Sequence, residues 1–171
     1  MFKEKDVKML FSPLSDRLSK VDFDCGVIEL NDFILKRAKS FVKRGLCSVQ
    51  TLVCEDTIIG YYTLSPFTLQ AVGLPPEIAK KFPSNMMIPC WLIGKLAVDK
   101  KFQGKRLGEL LLMDALKSVL EVAKVAGGYC VIVDAKNKQV KEFYRRYGFM
   151  PIQDNELRLF LPLASIEKLF S

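Results

Sequence analysis

The sequence predicts an α/β (α+β) chain built on a mixed central sheet of about six to seven strands flanked by helices, and three observations carry that expectation. Runs of strand length rich in β-branched and aromatic residues, such as "SVQTLVCE", "CWLIGKLAV" and "YCVIVDA", alternate with stretches of helical periodicity. Glycines follow the apolar helical patterns at Gly45, Gly127 with Gly128, and Gly148, where helices commonly stop. At 171 residues the chain has room for one domain with a core and too little for two of ordinary size, so residues 1–171 are read as a single domain.

In chain order, "VKMLFSPLS" reads as a first strand running into a proline turn, and a polar stretch leads to "FDCG". A helix fits "IELNDFILKRAKSFVKRG", where Ile28, Leu30, Phe33, Ile34, Ala38, Phe41 and Val42 recur at helical spacing. "SVQTLVCE" and "IIGYYTLSPF" form a hairpin around the short turn "DT". The proline-rich "TLQAVGLPPEIAKKFPSNMMIP" is an irregular connection with at most one short helix.

"CWLIGKLAV" is dense enough in apolar residues for a central strand buried on both sides. "RLGELLLMDALKSVLEVAKVAGG" is a long helix, "YCVIVDA" another apolar strand, and "NKQVKEFYRRYG" a short helix capped by Asn137. The tail "FMPIQDNELRLFLPL" reads as a last strand pair around a polar turn.

Composition narrows the chemistry. The five cysteines are scattered and never spaced as CxxC, so neither a disulfide framework nor a zinc site is expected. Histidine is absent, which removes the usual general base and the commonest transition-metal ligand, and no metal is expected. A formal charge of +7 favours anionic partners. It is locally concentrated: from Phe33 to Cys54 there is no acidic residue, while Lys36, Arg37, Lys39, Lys43 and Arg44 all fall there. No uncharged apolar run approaches the ~20 residues of a membrane-crossing helix. The start "MFKEKDVKMLFSPLS" lacks a secretory apolar core, so a cytoplasmic protein without a membrane partner is expected.

The stretch "VDKKFQGKRLGELLLMDAL" places a basic, glycine-punctuated loop between a strand and an apolar helix. Unpaired amides at a helix start and the helix dipole both favour a phosphate there. Gly104 and Gly108 permit close approach of a ligand, and Lys100, Lys101, Lys105 and Arg106 add charge. Neither GxxxxGK[ST] nor GxGxxG is present, which removes the simplest triphosphate and dinucleotide readings.

The loop instead resembles the coenzyme A loop of GNAT-type N-acetyltransferases, whose signature runs Gln/Arg-x-x-Gly-x-Gly/Ala. Here it reads Gln103, Gly104, Lys105, Arg106, Leu107, Gly108, with arginine at the middle glycine position. A negative φ at Arg106 would make the side chain cheap; a positive φ would strain the loop. "NKQVKEFYRRYGFMPI" resembles the same superfamily's late helix and strand, with Asn137, Phe143, Tyr144, Gly148 and Phe149 in register and Val140 where alanine is usual. "FDCGVIELNDFILKRA", "IIGYYTLSPF" and "LRLFLPL" further resemble the bacterial toxin-type branch, encoded beside a ribbon-helix-helix antitoxin, which acetylates aminoacyl-tRNA.

The resemblance implies a GNAT fold with splayed central parallel strands and acetyl-CoA as cosubstrate in the gap. It implies that Leu96, Ala97 and Val98 pair with the pantetheine arm through their backbone, that the loop from Gln103 to Gly108 holds the pyrophosphate, and that Asn137 and Phe143 complete the cofactor site. It assigns Tyr144 as the general acid that protonates the departing thiolate. Where many relatives place a basic glutamate, "WLIGKLAV" has no acidic residue. An α-amine, with a pKa of about 7.7 to 8.0, needs a base less than a lysine side chain at about 10.4, so the α-amino group of aminoacyl-tRNA fits. Asp99, Glu55 and an acid in the loop stay open as proton sinks.

Lys36, Lys39, Lys43 and Arg44, with Arg145 and Arg146, suit tRNA phosphates or are a solvated surface. Trp91 is either a stacking residue or core, and Met86 and Met87 are expected at a mobile rim. The expected partners are acetyl-CoA, aminoacyl-tRNA and an antitoxin, with the chain acting as a monomer or homodimer. A GNAT enzyme acting on a protein N-terminus or small amine, and a non-catalytic CoA- or nucleic-acid-binding module, stay open beside the toxin-like reading.

Overall fold

The computed structural model describes residues 8–171. Val7, at the start of the expected first strand, and the residues before it lie outside the described residues. Seven strands follow: β1 Met9–Pro13, β2 Ser48–Cys54, β3 Thr57–Gln70, β4 Met87–Val98, β5 Cys130–Asp134, β6 Met150–Ile152 and β7 Asn155–Pro162. They form one mixed sheet in the order β1-β2-β3-β4-β5-β7-β6. The helices are α1 Ile28–Asp32, α2 Ala38–Lys43, α3 Pro76–Ala79, α4 Leu107–Ala126, α5 Lys138–Arg145 and α6 Leu163–Leu169. By proximity along the fold the chain divides into two compact units, Met1–Leu64 with Lys95–Asp114, and Ser65–Gly94 with Ala115–Ser171.

In the first unit β1 pairs antiparallel with β2, and β2 with β3. The hairpin turn is Glu55-Asp56, with φ of 50° and 61°, and not the expected "DT": Thr57 already opens β3. Positive φ at both central residues is the geometry that matches the twist of paired strands, and it costs these two acidic residues more than it would Asn-Gly. The single helix expected over 28–45 is interrupted by a π-helical turn, Phe33–Arg37, between α1 and α2. The wider turn places Phe33 and Ile34 in the core. Phe33 stacks on Tyr61 at 6.0 Å and meets Phe41 edge-on at 5.3 Å. The buried Tyr61 hydroxyl donates to the Leu30 carbonyl at 2.7 Å, so this core has no orphaned phenol.

In the second unit β4 and β5 run parallel, paired from Cys90 with Cys130 to Ile93 with Val133, and β4 then continues to Val98. β5 pairs antiparallel with β7, and β7 with β6. The expectation that β4 is buried on both faces is corrected: Ile88, Cys90, Ile93 and Ala97 are buried, whereas Met87, Pro89 and Gly94 are exposed. Side chains alternate along a strand, and an apolar run need not have cover on both faces. α6 was not expected from the sequence. It starts directly after Pro162 and has Ile166 as its one fully buried residue, too little for a readable periodicity.

Along α4 the residues Leu111, Leu112, Ala115, Leu116 and Val119 are fully buried, the i, i+4, i+8 stripe that fixes which way the helix faces. Its first turn therefore starts at a set orientation beyond the loop that leaves β4.

Candidate active site

The loop after β4 is organised by Asp99, a residue the sequence reading offered only as a proton sink. Its buried carboxylate accepts the Lys101 amide at 2.9 Å and the Asp24 amide at 3.2 Å. Both oxygens therefore hold the loop's first turn in shape, and this is a structural anchor. Gln103 adds a second anchor: its side-chain amide donates to the Val98 carbonyl at 2.8 Å and to the Cys25 carbonyl at 3.1 Å.

The "FDCG" turn thus supports the loop from behind. Asn31 accepts the Cys25 amide at 2.8 Å and donates to Asp24 at 2.9 Å. Lys100 pairs with Asp24 at 3.3 Å. The amide of Gly26, then Asn31 and Lys100, hold the exposed Asp24 carboxyl below its ordinary range. Sequence reasoning missed Asp24 and Cys25 as supports because their loop partners Asp99 and Gln103 lie more than seventy residues away along the chain, and Asn31 acts only through them.

Past these anchors the backbone opens. Among the described residues, no protein acceptor meets the amides of Gly104, Lys105, Arg106, Leu107 and Gly108. They sit at the start of a twenty-residue helix, where dipole and free N–H groups favour an anion. Gly104 has φ +81° and Arg106 φ +59°. The strained alternative for Arg106 is therefore the observed one, at a cost of about 1–2 kcal/mol for a side chain in the left-handed region. The loop keeps its open shape regardless, and the guanidinium stays exposed beside the amides.

The second unit holds the other expected groups. Asn137 caps α5, its Oδ1 accepting the Val140 amide at 2.9 Å, so its side chain serves the helix start. Phe143 is half-buried and meets Tyr144 at 5.2 Å and Tyr147 at 5.4 Å. The Tyr144 ring is 5% exposed and packs on Phe149 at 5.5 Å. Among the described residues none accepts from its hydroxyl and no buried polar side-chain atom lacks a partner, so the phenol oxygen keeps some contact with solvent. Burial, and secondly the charge of Asp134, push the hydroxyl up to about 12. A phenol held neutral in an apolar seat can hydrogen-bond to a departing thiolate, although its raised pKa makes full proton transfer to a free thiolate, with its ordinary pKa of about 8.5, uphill.

A free-amide helix start after a strand suits an anion such as a diphosphate, and residues 48–151 match the acetyltransferase (GNAT) domain family. The chain belongs to the GNAT acetyltransferase family. It is 28% identical to a protein named probable toxin TacT from Sinorhizobium fredii, over 95% of both chains. It superposes on AtaT complexed with acetyl-methionyl-tRNAfMet with a TM-score of 0.87, at 30% identity, covering 96% of this chain and all of that one. A tyrosine-to-phenylalanine mutant of the AtaT toxin, bound to the C-terminus of the antitoxin AtaR and acetyl-CoA, matches with a TM-score of 0.81 at 28% identity, covering 95% of this chain and 98% of that one.

In this GNAT enzyme the backbone of Leu96, Ala97 and Val98 forms the end of β4, leading straight into the anchored loop. Of the acids left open as bases, Asp99 is engaged by amides and Glu55 lies in the β2–β3 hairpin turn. The one ionisable side chain of "WLIGKLAV" is Lys95, half-buried, with its ammonium 4.4 Å from the Phe33 ring centre. Burial holds it below the ordinary lysine range, Cys47 opposing and Arg37 assisting. The sequence reading passed over Lys95 because only the π-turn brings Phe33 beneath it.

On the basic face Lys36 pairs with Asp32 at 3.4 Å and Lys39 with Asp16 at 3.0 Å, while Lys43 and Arg44 are exposed with no carboxylate partner among the described residues. Arg145 pairs with Glu142 at 3.5 Å, and Arg146 stands 5.6 Å from the Phe143 ring. Trp91 is neither core nor free: its indole donates to the Gly127 carbonyl at 2.9 Å. Together with Phe67 and Gly128 it lines a cavity of about 540 Å³. Met86 and Met87 are 39% and 49% exposed. No helix among the described residues is long and apolar enough to cross a membrane.

Proposed function

We propose that this chain, as one acetyltransferase domain, transfers the acetyl group of acetyl-CoA to the α-amino group of aminoacyl-tRNA, as a toxin restrained by an antitoxin of ribbon-helix-helix type. The observation that carries the reading is the row of unpaired amides from Gly104 to Gly108 at the start of α4, fitted to a pyrophosphate. The substrate follows from likeness to AtaT, whose complex with acetyl-methionyl-tRNAfMet matches almost end to end. Charged tRNA places the reaction in the bacterial cytoplasm.

The loop amides and Lys105 hold the diphosphate, while Lys100 and Lys101 add charge on the approach. Backbone groups of Leu96, Ala97 and Val98 align the pantetheine arm as an added strand, and an amide there faces the carbonyl oxygen where negative charge develops. Acetyl-CoA, when bound, supplies the activated acyl carbon. As the C–N bond forms and the C–S bond breaks, the Tyr144 hydroxyl gives its proton to the leaving sulfur and is later reprotonated from solvent. Phe143 and Phe149 keep water from the ring's flanks. The amine loses its proton without a carboxylate base, which an α-amine near neutrality allows. Lys43 and Arg44, with no ion-pair partner among the described residues, position tRNA phosphates.

The test is incubation with radiolabelled acetyl-CoA and a total charged tRNA pool. Label is expected in aminoacyl-tRNA and lost on mild alkaline cleavage of the ester. Label in peptides or free amines, with tRNA unlabelled, would replace the substrate assignment. Tyr144→Phe is expected to keep the fold and acetyl-CoA binding and to lose most turnover.

A further inference from the structure

Lys95 carries a charge that the transfer of the acetyl group leaves unused. Its side chain is half-buried, with the ammonium 4.4 Å from the centre of the Phe33 ring. Lys95, the π-turn and the loop after β4 all belong to the first unit. Three exposed lysines of that unit have carboxylate partners: Lys36 pairs with Asp32, Lys39 with Asp16 and Lys100 with Asp24. Lys95, the more buried, has none among the described residues. This inverts the ordinary arrangement, in which a charge withdrawn from water is paired and an exposed one goes without.

The sequence keeps acids away from this ammonium. From Phe33 to Cys54, the segment that supplies the ring beneath it, there is no acidic residue. The groups whose charge acts on Lys95 are the Cys47 thiol and the Arg37 guanidinium, and Arg37 itself donates to the Glu29 carbonyl at 3.5 Å. An aromatic face attracts a cation without neutralising it. What the half-buried ammonium lacks is an anion.

Its place along β4 indicates which one. The register with β5 ends at Ile93, and Lys95 follows two residues on, directly before Leu96, Ala97 and Val98, whose backbone is proposed to align the thioester. A long side chain rooted there stands next to the point where the acceptor amine must arrive. In aminoacyl-tRNA the negative charge nearest that amine is the phosphodiester of the 3′-terminal nucleotide.

We propose that Lys95 is an acceptor-binding residue: its ammonium, seated on Phe33, takes the last phosphodiester of aminoacyl-tRNA and so sets the amine against the thioester. The proposal rests on the aminoacyl-tRNA reading and deepens it by one contact. A protein lysine or a small amine brings no such phosphate, so the same contact favours an amine carried on nucleic acid.

The test crosses two changes in a radiolabel transfer assay with charged tRNA. The last internucleotide linkage is either native or a methylphosphonate, which has a similar shape and no charge, and the enzyme is either the parent or Lys95→Met, which keeps an apolar stem over Phe33. Each single change is expected to lower kcat/KM about tenfold, as loss of a charge-assisted contact would. The two together should cost nothing further, because they remove the same contact. Lys95→Arg should keep the dependence on the charged linkage, and a methylphosphonate one linkage upstream should leave the effect of Lys95→Met unchanged.

Losses that multiply to about a hundredfold, or a parent indifferent to the last linkage, overturn the proposal. So does an equal weakening of acetyl-CoA binding by Lys95→Met in calorimetry, which would mark a residue that shapes the strand. If the parent labels no charged tRNA, the acceptor assignment itself falls and the proposal with it. Labelled tRNA with transfer blind to the last linkage removes the role of Lys95 alone.

Discussion

The Gln103 side-chain amide donates to the Val98 carbonyl at 2.8 Å, folding the loop back onto the last residue of the strand it leaves. Its second bond, to Cys25, ties the loop to the "FDCG" turn. A residue first singled out as a ligand contact therefore acts as a brace. It orients the free amides and does not itself need to touch the cofactor.

Gln103→Ala removes both bonds, each worth about 0.5–1.5 kcal/mol net. The expected outcome is a dissociation constant for acetyl-CoA raised about tenfold by isothermal titration calorimetry, with kcat at saturation little changed. An unaltered affinity would mean that the Asp99 anchor alone shapes the loop.

Arg106 gives a prediction of mixed sign. Its φ of +59° costs an ordinary side chain about 1 kcal/mol that glycine would not bear. Arg106→Gly is therefore expected to be more stable to urea than Arg106→Ala by about that amount, while both bind acetyl-CoA more weakly than the parent because both lose the guanidinium. Equal stability of the two variants would show that the backbone relaxes at this position.

Most of the architecture could be read from the sequence because it is encoded locally. The strand runs, the glycine stops and the Asn137 cap all report on residues within a few positions. What escaped reading depends on distant partners or on a one-residue change of phase. The π-turn at Phe33–Arg37 leaves the apolar spacing helical on both sides while shifting what lies beneath Lys95. The hairpin turn slipped from "DT" to Glu55-Asp56 because acidic residues with positive φ are uncommon and composition does not announce them. In the candidate site, motif spacing singled out Tyr144 and the loop glycines, and the structure describes a buried Tyr144 ring and a Gly104 with positive φ. The Asp99 and Arg158 networks were not legible, since both residues lie in quoted stretches but their partners Asp24 and Asp134 come from a distant turn and another strand.

Gly128 faces Trp91 so closely that a Cβ would overlap the indole, and its φ of +119° is one that side chains rarely adopt. Gly128→Ala should cost about 2–4 kcal/mol in urea denaturation, combining strain and displaced packing. Trp91 is the one tryptophan in the chain, so its fluorescence reports the displacement directly. An unshifted emission spectrum with unchanged stability would show that the indole has somewhere else to go.

The role proposed for Tyr144 as the acid also bears on alkaline stability. Its hydroxyl, held near 12 by burial and then by Asp134, loses its proton in the unfolded chain at about 10. The folded state therefore favours the neutral phenol, and the stability this contributes is fully present below about pH 10 and is lost as pH rises through about 12. A two-unit difference corresponds to roughly 2–3 kcal/mol at most, so the parent should lose more stability than Tyr144→Phe between pH 9 and pH 11 in paired urea titrations. The same elevation keeps the acid protonated over the working range. Turnover should rise through about pH 8 as the acceptor α-amine becomes free base, then stay level past pH 10, where an unperturbed tyrosine would already be failing. A falling limb centred near 10 would place the Tyr144 hydroxyl in a wetter site than its packing against Phe149 describes.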